Sequence, residues 1–198
     1  MGITNDKKPI LLLASTSSNE EATPLEQIAQ AKWVNDWRII VCPRHPERGP
    51  EIEQLCTELG FSCRRSSTQP QGDEQDVIIV DEIGRLGALY AMAEIALVGG
   101  SIGSSRHGQN MLEAAAAGTC TVVGWDTSNQ PDSMALLQAH DAVVICQDHA
   151  DIYRKLDALV RDPKERQRLA QAGRTAWETC HGAAERSVQL LADSLKAN

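Results

Sequence analysis

Seven short, largely apolar runs, separated by segments of helical periodicity, most restrict how this chain can fold. The runs cover residues 10–14, 37–42, 61–64, 77–80, 95–98, 120–123 and 142–146. Most are apolar at consecutive positions, not alternating ones, as strands covered on both faces are. Between them, residues 23–34, 47–59, 86–93, 111–117 and 133–139 read as amphipathic helices. Ile52, Leu55, Cys56 and Leu59, for example, fall on one helical face. This β-then-α alternation predicts an α/β fold: a Rossmann-like parallel sheet with helices on both faces. Beyond Asp148 the strand pattern stops, and residues 150–160, 163–179 and 183–197 predict a helical C-terminal tail, with Pro163 at a helix start. Residues 66–75, rich in Ser, Gln, Pro and Gly, are too few to divide domains. One domain over residues 1–198 is expected.

Charge and composition remove several function classes. The formal net charge of −8 argues against general nucleic-acid binding, which needs Lys and Arg to neutralise phosphates. No apolar stretch is long enough to span a bilayer, and the N-terminus has no apolar signal-peptide core. The six cysteines form no C-x-x-C pair, and several lie in strand-like runs, which predicts buried free thiols in a reducing compartment. A cytoplasmic location is expected.

In open α/β sheets ligands bind outside the carboxyl ends of the strands, so the segments after each strand carry the functional signal. Polar, Gly- or Pro-marked segments follow strands one, two, four, five and six, whereas a loop at the opposite edge, such as Asn35-Asp36, is short. Residues 99–110 are the most informative, with Gly99, Gly100, Gly103 and Gly108 allowing close backbone approach before a helix opens near Asn110. A helix N-terminus suits a phosphate, and Arg44, Arg48 and Arg106 are candidates to bond the same anion. Glu113, one turn in, is placed to accept from a ribose diol. The bland reading stays open: Asn110 with Glu113, and Ser18 with Glu21, are also capping-box patterns. His45 reads equally as a turn residue between prolines, and Trp125 as a boundary residue or a base contact. His107 has no partner at metal-ligand spacing, so no metal site is expected. There is no P-loop and no G-x-G-x-x-G after the first strand. Gly99-Gly100-Ser101-Ile102-Gly103 matches the G-x-S-x-G of a hydrolase elbow, but several polar residues separate it from the next helix.

An ordered series of these motifs resembles the C-terminal half of the 3-deoxy-D-manno-octulosonate (Kdo) transferases, from Ile10 to about Leu195. It comprises Ala14-Ser15-Thr16 with Glu20-Glu21, then Pro43-Arg44-His45-Pro46-Glu47-Arg48, then Asp81, Gly84 and Tyr90 leading to Val98-Gly99-Gly100-Ser101. Asn110, Leu112 and Glu113 follow, and then Gly124, Thr127 and Asn129. The resemblance implies one half of a GT-B fold that binds the donor CMP-Kdo, a nucleotide sugar, for transfer of Kdo to a lipid A precursor in lipopolysaccharide biosynthesis. It assigns Arg44 to the donor phosphate or carboxylate, the backbone of Gly108, Gln109 and Asn110 to the phosphate, and Glu113 to the ribose. Ser15, Thr16, Glu20, His45, Ser101 and Asn129 are expected to line the cleft. No catalytic residue is expected in this half, and neither a metal nor any other cofactor. The acceptor half is expected to be absent from the chain, the chain alone to be inactive, and the full protein to work at the cytoplasmic face of the inner membrane. Departures from the family's pattern are His107-Gly108-Gln109 for Gly-Gly-His, Met111 after Asn110, Arg85 for an acid, and Trp125-Asp126 for Pro-His. They leave a UDP-sugar donor domain, or a binding module without catalysis, as the alternatives.

Overall fold

The computed structural model describes residues 8–68, 75–103 and 105–180. It contains a seven-stranded sheet in the order β3-β4-β2-β1-β5-β6-β7. The strands are β1 (Ile10–Thr16), β2 (Arg38–Pro43), β3 (Cys63–Arg65), β4 (Val77–Ile79), β5 (Ile95–Val98), β6 (Cys120–Val123) and β7 (Val143–Ile145), and every pairing is parallel. The helices are α1 (Ala22–Ala29), α2 (Gly49–Glu58), α3 (Leu86–Met92), α4 (Leu112–Ala117), α5 (Pro131–Ala139), α6 (His149–Arg161) and α7 (Pro163–Cys180).

Side chains of the central strands alternate between two cores, which is why their sequences are apolar throughout. Leu11, Leu13, Ile39, Val41, Ile95 and Leu97 face one core with Leu25 and Ile28 of α1, Ile52 and Cys56 of α2, and Ile152 and Leu156 of α6. Leu12, Ala14, Ile40, Ala96 and Val98 face the other with Leu89 and Tyr90 of α3, Ala114 of α4, Leu137 of α5 and Ala176 of α7. Four of the cysteines are buried within these layers. Burial pushes the Cys42 thiol up to about 11, and Cys56, Cys120 and Cys146 up to about 12, so these thiols stay protonated and inert.

The chain's one reversal of direction across the sheet fixes the site. From β1 it runs outward through β2 to the edge strand β3, steps back to β4 between β3 and β2, and then crosses to place β5 on the other flank of β1. The loops after β1 and β5 therefore diverge at a topological switch point.

Some boundaries move, for local reasons. The helix expected over 23–34 ends at Ala29, and a 3-10 turn at Val34–Asp36 follows. Trp33 instead packs edge-on to Trp37 and donates its indole N–H to Asp157 of α6 at 3.1 Å. The helix expected over 47–59 begins with a 3-10 turn at Pro46–Arg48 before α2. α6 opens where Asp148 accepts the Asp151 N–H at 2.7 Å as its N-cap. Arg166 of α7 lies 5.1 Å from the centre of the Trp37 ring and donates to the carbonyls of Leu159 and Val160, which pins the first two tail helices to the sheet. The third expected tail helix, residues 183–197, lies outside the described residues.

Candidate functional site

β1 ends in an irregularity that re-aims its last residues. Its register with β2 slips between Ala14 and Thr16, and Ser15 takes φ 53°. The Arg44 N–H then bonds the Thr16 carbonyl at 2.9 Å, joining the β1 and β2 loops. The Arg44 side chain is exposed, and no carboxylate among the described residues pairs with it. Ser15 and Arg44, with Leu86, Tyr90, Gln109, Asn110 and Glu113, line a cavity of about 240 Å³. An adjoining slot of about 100 Å³ shares Ser15, Arg44 and Leu86 and is walled by Pro43, Pro46 and Ile83. The fold thus brings Ser15 from the end of β1, Arg44 from the loop after β2, and Gln109, Asn110 and Glu113 from the entry into α4 together.

Asn110 and Glu113 do not form a reciprocal capping box. Asn110 accepts from the Leu112 N–H at 3.1 Å, while its amide donates to Glu113 Oε1 at 3.0 Å. The cap position itself falls on Met111, which makes no side-chain cap bond. Asn110 therefore holds the Glu113 carboxylate, and both residues line the cavity. α4 has only six residues, so its macrodipole is small and the fixed positive charge here is mainly that of Arg44. Tyr90 is buried in the cavity wall, and burial together with the Glu113 charge raises its phenol pKa, keeping it protonated. Sequence alone does not single out Tyr90 or Leu86 as site residues. The signal for Tyr90 was its place in the motif series, and Leu86 lies one turn before it.

The glycine-rich loop is organised differently. Glu20 is 1% exposed, and its carboxylate accepts the N–H of Ser17 at 2.7 Å, of Gly100 at 2.7 Å and of Ile102 at 2.8 Å. It thereby latches the β1 loop to the β5 loop across the switch point. Gly99 is required there, because a Cβ would stand 2.6 Å from Thr16 Cα and 3.0 Å from Glu20 Oε2. The Gly108 N–H bonds the Gly100 carbonyl at 2.6 Å and that of Gln109 bonds the Gly99 carbonyl at 3.2 Å. Both amides are thus spent inside the loop and not held open for a phosphate. Gln109 reaches the cavity through its side chain.

Ser101 is wholly buried, and its hydroxyl donates to the Val98 carbonyl at 2.6 Å and accepts the Gly124 N–H at 2.8 Å. It joins β5 to the loop after β6, and neither lines a cleft nor serves as a nucleophile, which removes the hydrolase reading. Thr16 and Glu20 are likewise enclosed, not cleft-lining. Asn129 is exposed beside His107, whose carbonyl its N–H bonds at 2.8 Å, and it lines neither the Arg44 cavity nor the adjoining slot.

The other cations expected near the same anion are elsewhere. Arg48 is clamped by Glu21, with contacts of 2.7 and 3.1 Å, and by Glu51, at 2.9 and 3.1 Å. Glu21 stands at the N-cap of α1 but makes no side-chain cap bond, its carboxylate being occupied by Arg48, and Ser18 is not at the cap position. Arg106 turns to His45, and the two line a different cavity from that of Arg44. His107 Nδ1 lies 2.7 Å from Asp126, and this hydrogen bond holds the Asp126 carboxyl down to about 2. Trp125 packs edge-on to His149. Among the described residues no three His, Cys, Asp or Glu side chains gather as a metal-ligating group.

Residues 79–192, which include Gly99, Asn110 and Glu113, match a family model described as glycosyl transferase-like. The chain belongs to the glycosyl transferase-like family. Among its curated relatives is a 3-deoxy-D-manno-octulosonic acid transferase of Bordetella pertussis, 34% identical over 95% of this chain and 45% of that protein. A transferase of the same name from Haemophilus influenzae is 32% identical over 96% of this chain and 45% of that protein. This glycosyl transferase-like chain therefore spans about half the length of the curated relatives it matches. Among solved structures it is similar to the C-terminal CMP-Kdo binding domain of WaaA from Acinetobacter baumannii. That match has a TM-score of 0.75 and 28% identity, over 86% of this chain and 90% of that one. The C-terminal domain of the glycosyl transferase LpcC from Francisella tularensis shares the fold, with a TM-score of 0.60 at 19% identity over 89% of this chain and 87% of that one. No helix among the described residues is long and apolar enough to cross a membrane.

Proposed function

We propose that this chain is the donor-binding domain of a Kdo transferase and holds CMP-Kdo in the Arg44 cavity. The observation that carries the reading is the meeting of an unpaired arginine with the Asn110–Glu113 pair at the carboxyl edge of a parallel sheet. Arg44 bonds the donor phosphate, and the Glu113 carboxylate, turned by Asn110, accepts from the ribose hydroxyls. The likeness to a CMP-Kdo binding domain over 90% of that domain supports cytidine as the base.

In the proposed reaction an acceptor hydroxyl of a lipid A precursor attacks C2 of Kdo while the bond from C2 to the phosphate oxygen breaks. The hydroxyl proton passes to a base outside this domain, and CMP leaves with the bond's electron pair. Arg44 stabilises the charge that develops on the leaving phosphate, a task that a fixed cation performs without a metal. The full protein would work at the cytoplasmic face of the inner membrane.

Calorimetric titration with CMP, UMP and GMP tests the donor assignment. CMP binding that Arg44→Ala weakens at least about tenfold supports it, the loss expected for one charge-assisted contact. Equal affinity for UMP would move the domain to another nucleotide sugar. No nucleotide binding at all would leave a module without a donor.

A further inference from the structure

The side chain of Arg44 is exposed, and no carboxylate among the described residues fixes its direction. A free arginine samples many rotamers, and ordering it on a ligand costs entropy. How well Arg44 is aimed therefore depends on the backbone that carries it.

That backbone is fastened on both sides. The Arg44 N–H bonds the Thr16 carbonyl at 2.9 Å. Beyond it the chain makes the 3-10 turn at Pro46–Arg48, closed by the Arg48 N–H on the His45 carbonyl at 3.0 Å. At the end of the turn the Arg48 guanidinium meets Glu21 fork to fork, with Nη1 2.7 Å from Oε1 and Nη2 3.1 Å from Oε2. Both partners are enclosed, the Arg48 side chain being 14% exposed and that of Glu21 2%. Glu21 is a firm anchor, because it adjoins the Glu20 latch and its carbonyl accepts the Leu25 N–H in the first turn of α1 at 2.9 Å.

α2 does not need this pair to stay on the sheet. Ile52 and Cys56 hold it in the apolar core. Its first residue, Gly49, abuts Asp81 so closely that a Cβ would stand 2.7 Å from Oδ2. Asp81 is itself pinned by Ser66 and Ser67, at 3.1, 3.0 and 2.7 Å. What the pair alone adds is a fixed point between α2 and Arg44.

We propose that Arg48 is a positioning residue for Arg44: its ion pair with Glu21 fixes the turn between the two arginines and so aims Arg44 at the nucleotide phosphate. This positioning rests on the nucleotide reading of the Arg44 cavity. Arg48 does not line that cavity, so it acts only through Arg44. Dehydration offsets much of the attraction within an enclosed ion pair, which leaves geometry as its main contribution.

The test is calorimetric titration of the full chain with CMP and with cytidine, which keeps the base and ribose but lacks the phosphate. Arg48→Gln is expected to weaken CMP binding about three- to tenfold, no more than Arg44→Ala does, and cytidine binding less than about twofold. Added to Arg44→Ala, it should weaken CMP no further. Arg48→Gln leaves the Glu21 carboxylate enclosed and unpaired, so the chain carrying both Glu21→Gln and Arg48→Gln is measured too and should show the same loss. Nitrogen relaxation should report faster motion at Arg44 Nε and at the His45 and Glu47 amides in both. The proposal is overturned if the folded variants keep their CMP affinity, if cytidine loses as much as CMP, or if Arg48→Gln weakens CMP equally in the Arg44→Ala background. Should the unaltered chain bind CMP no better than cytidine, the phosphate role of Arg44 falls, and relaxation alone then decides the positioning: faster motion at Arg44 supports it and unchanged motion overturns it.

Discussion

Glu20 and Arg44 sit on neighbouring loops at the same edge of the sheet, and their surroundings differ in kind. Glu20 is enclosed, with three backbone N–H groups converging on its carboxylate from two loops. Arg44 is open to solvent, with no acidic partner among the described residues. The loop richest in glycine and serine has most of its polar capacity consumed by its own architecture: Glu20 on the backbone, Ser101 between β5 and Gly124, Gly108 and Gln109 on their neighbours. The capacity left for a ligand stands around it, on Arg44, Asn110 and Glu113. A glycine-rich loop here is a rigid support that sets the distance between the ligand-facing groups, and only part of it is the ligand surface.

Breaking the support should have the largest effect. Glu20→Ala leaves three N–H groups without an acceptor and is expected to cost about 3–5 kcal/mol in urea unfolding, from about 1–3 kcal/mol for each buried group left unsatisfied. A loss below about 1 kcal/mol would mean that water replaces the carboxylate and that the latch is dispensable. Next comes Gly124→Ala. A Cβ there would stand 2.2 Å from the Ser101 carbonyl oxygen, so backbone must move, at about 2–3 kcal/mol in the same assay. Unchanged stability would show that the contact between the β5 and β6 loops is loose.

These two residues also mark what the sequence reveals and what it hides. The strands were legible because consecutive apolar residues such as Ile10 to Leu13 and Ile95 to Val98 need cover on both faces, a local property of the string. The polar edge was legible because loops after parallel strands share one side. Burial within those loops was not. Glu20 and Glu21 are adjacent and chemically identical, yet one latches to amides 80 and 82 positions away and the other clamps Arg48. Arg44 and Arg48 lie in one six-residue motif, yet Glu21 and Glu51 neutralise Arg48 while Arg44 has no acidic partner among the described residues. Ser101 looks like a nucleophile or a phosphate ligand until the β6 loop closes over it. Each assignment depends on pairings between distant segments, which no local pattern encodes.

The open side should respond in the opposite way. Arg44→Ala is expected to change unfolding free energy by no more than about 0.5 kcal/mol, as surface substitutions usually do, while weakening nucleotide binding at least about tenfold. A large stability loss with unchanged binding would invert the comparison.

The smallest effect lies at the rim. The hydrogen bond from His107 holds Asp126 at about 2, below its ordinary 3.8. A carboxyl depressed on folding contributes stability that is complete above about 3.8 and lost as pH falls through about 2. In His107→Ala the Asp126 midpoint, followed by carboxyl NMR, should rise toward 3.8, with nucleotide affinity nearly unchanged. An unmoved midpoint would assign the depression to the Ser128 N–H and hydroxyl, which share the same carboxylate.

The most direct measurement of the central claim is residue-resolved NMR of the chain titrated with CMP. Saturable shifts are expected at Ser15, Arg44, Asn110 and Glu113 that UMP and GMP do not reproduce, with Glu20 and Ser101 moving little because the latch is already closed. Shifts centred away from Arg44, or no shifts at millimolar CMP, would contradict it.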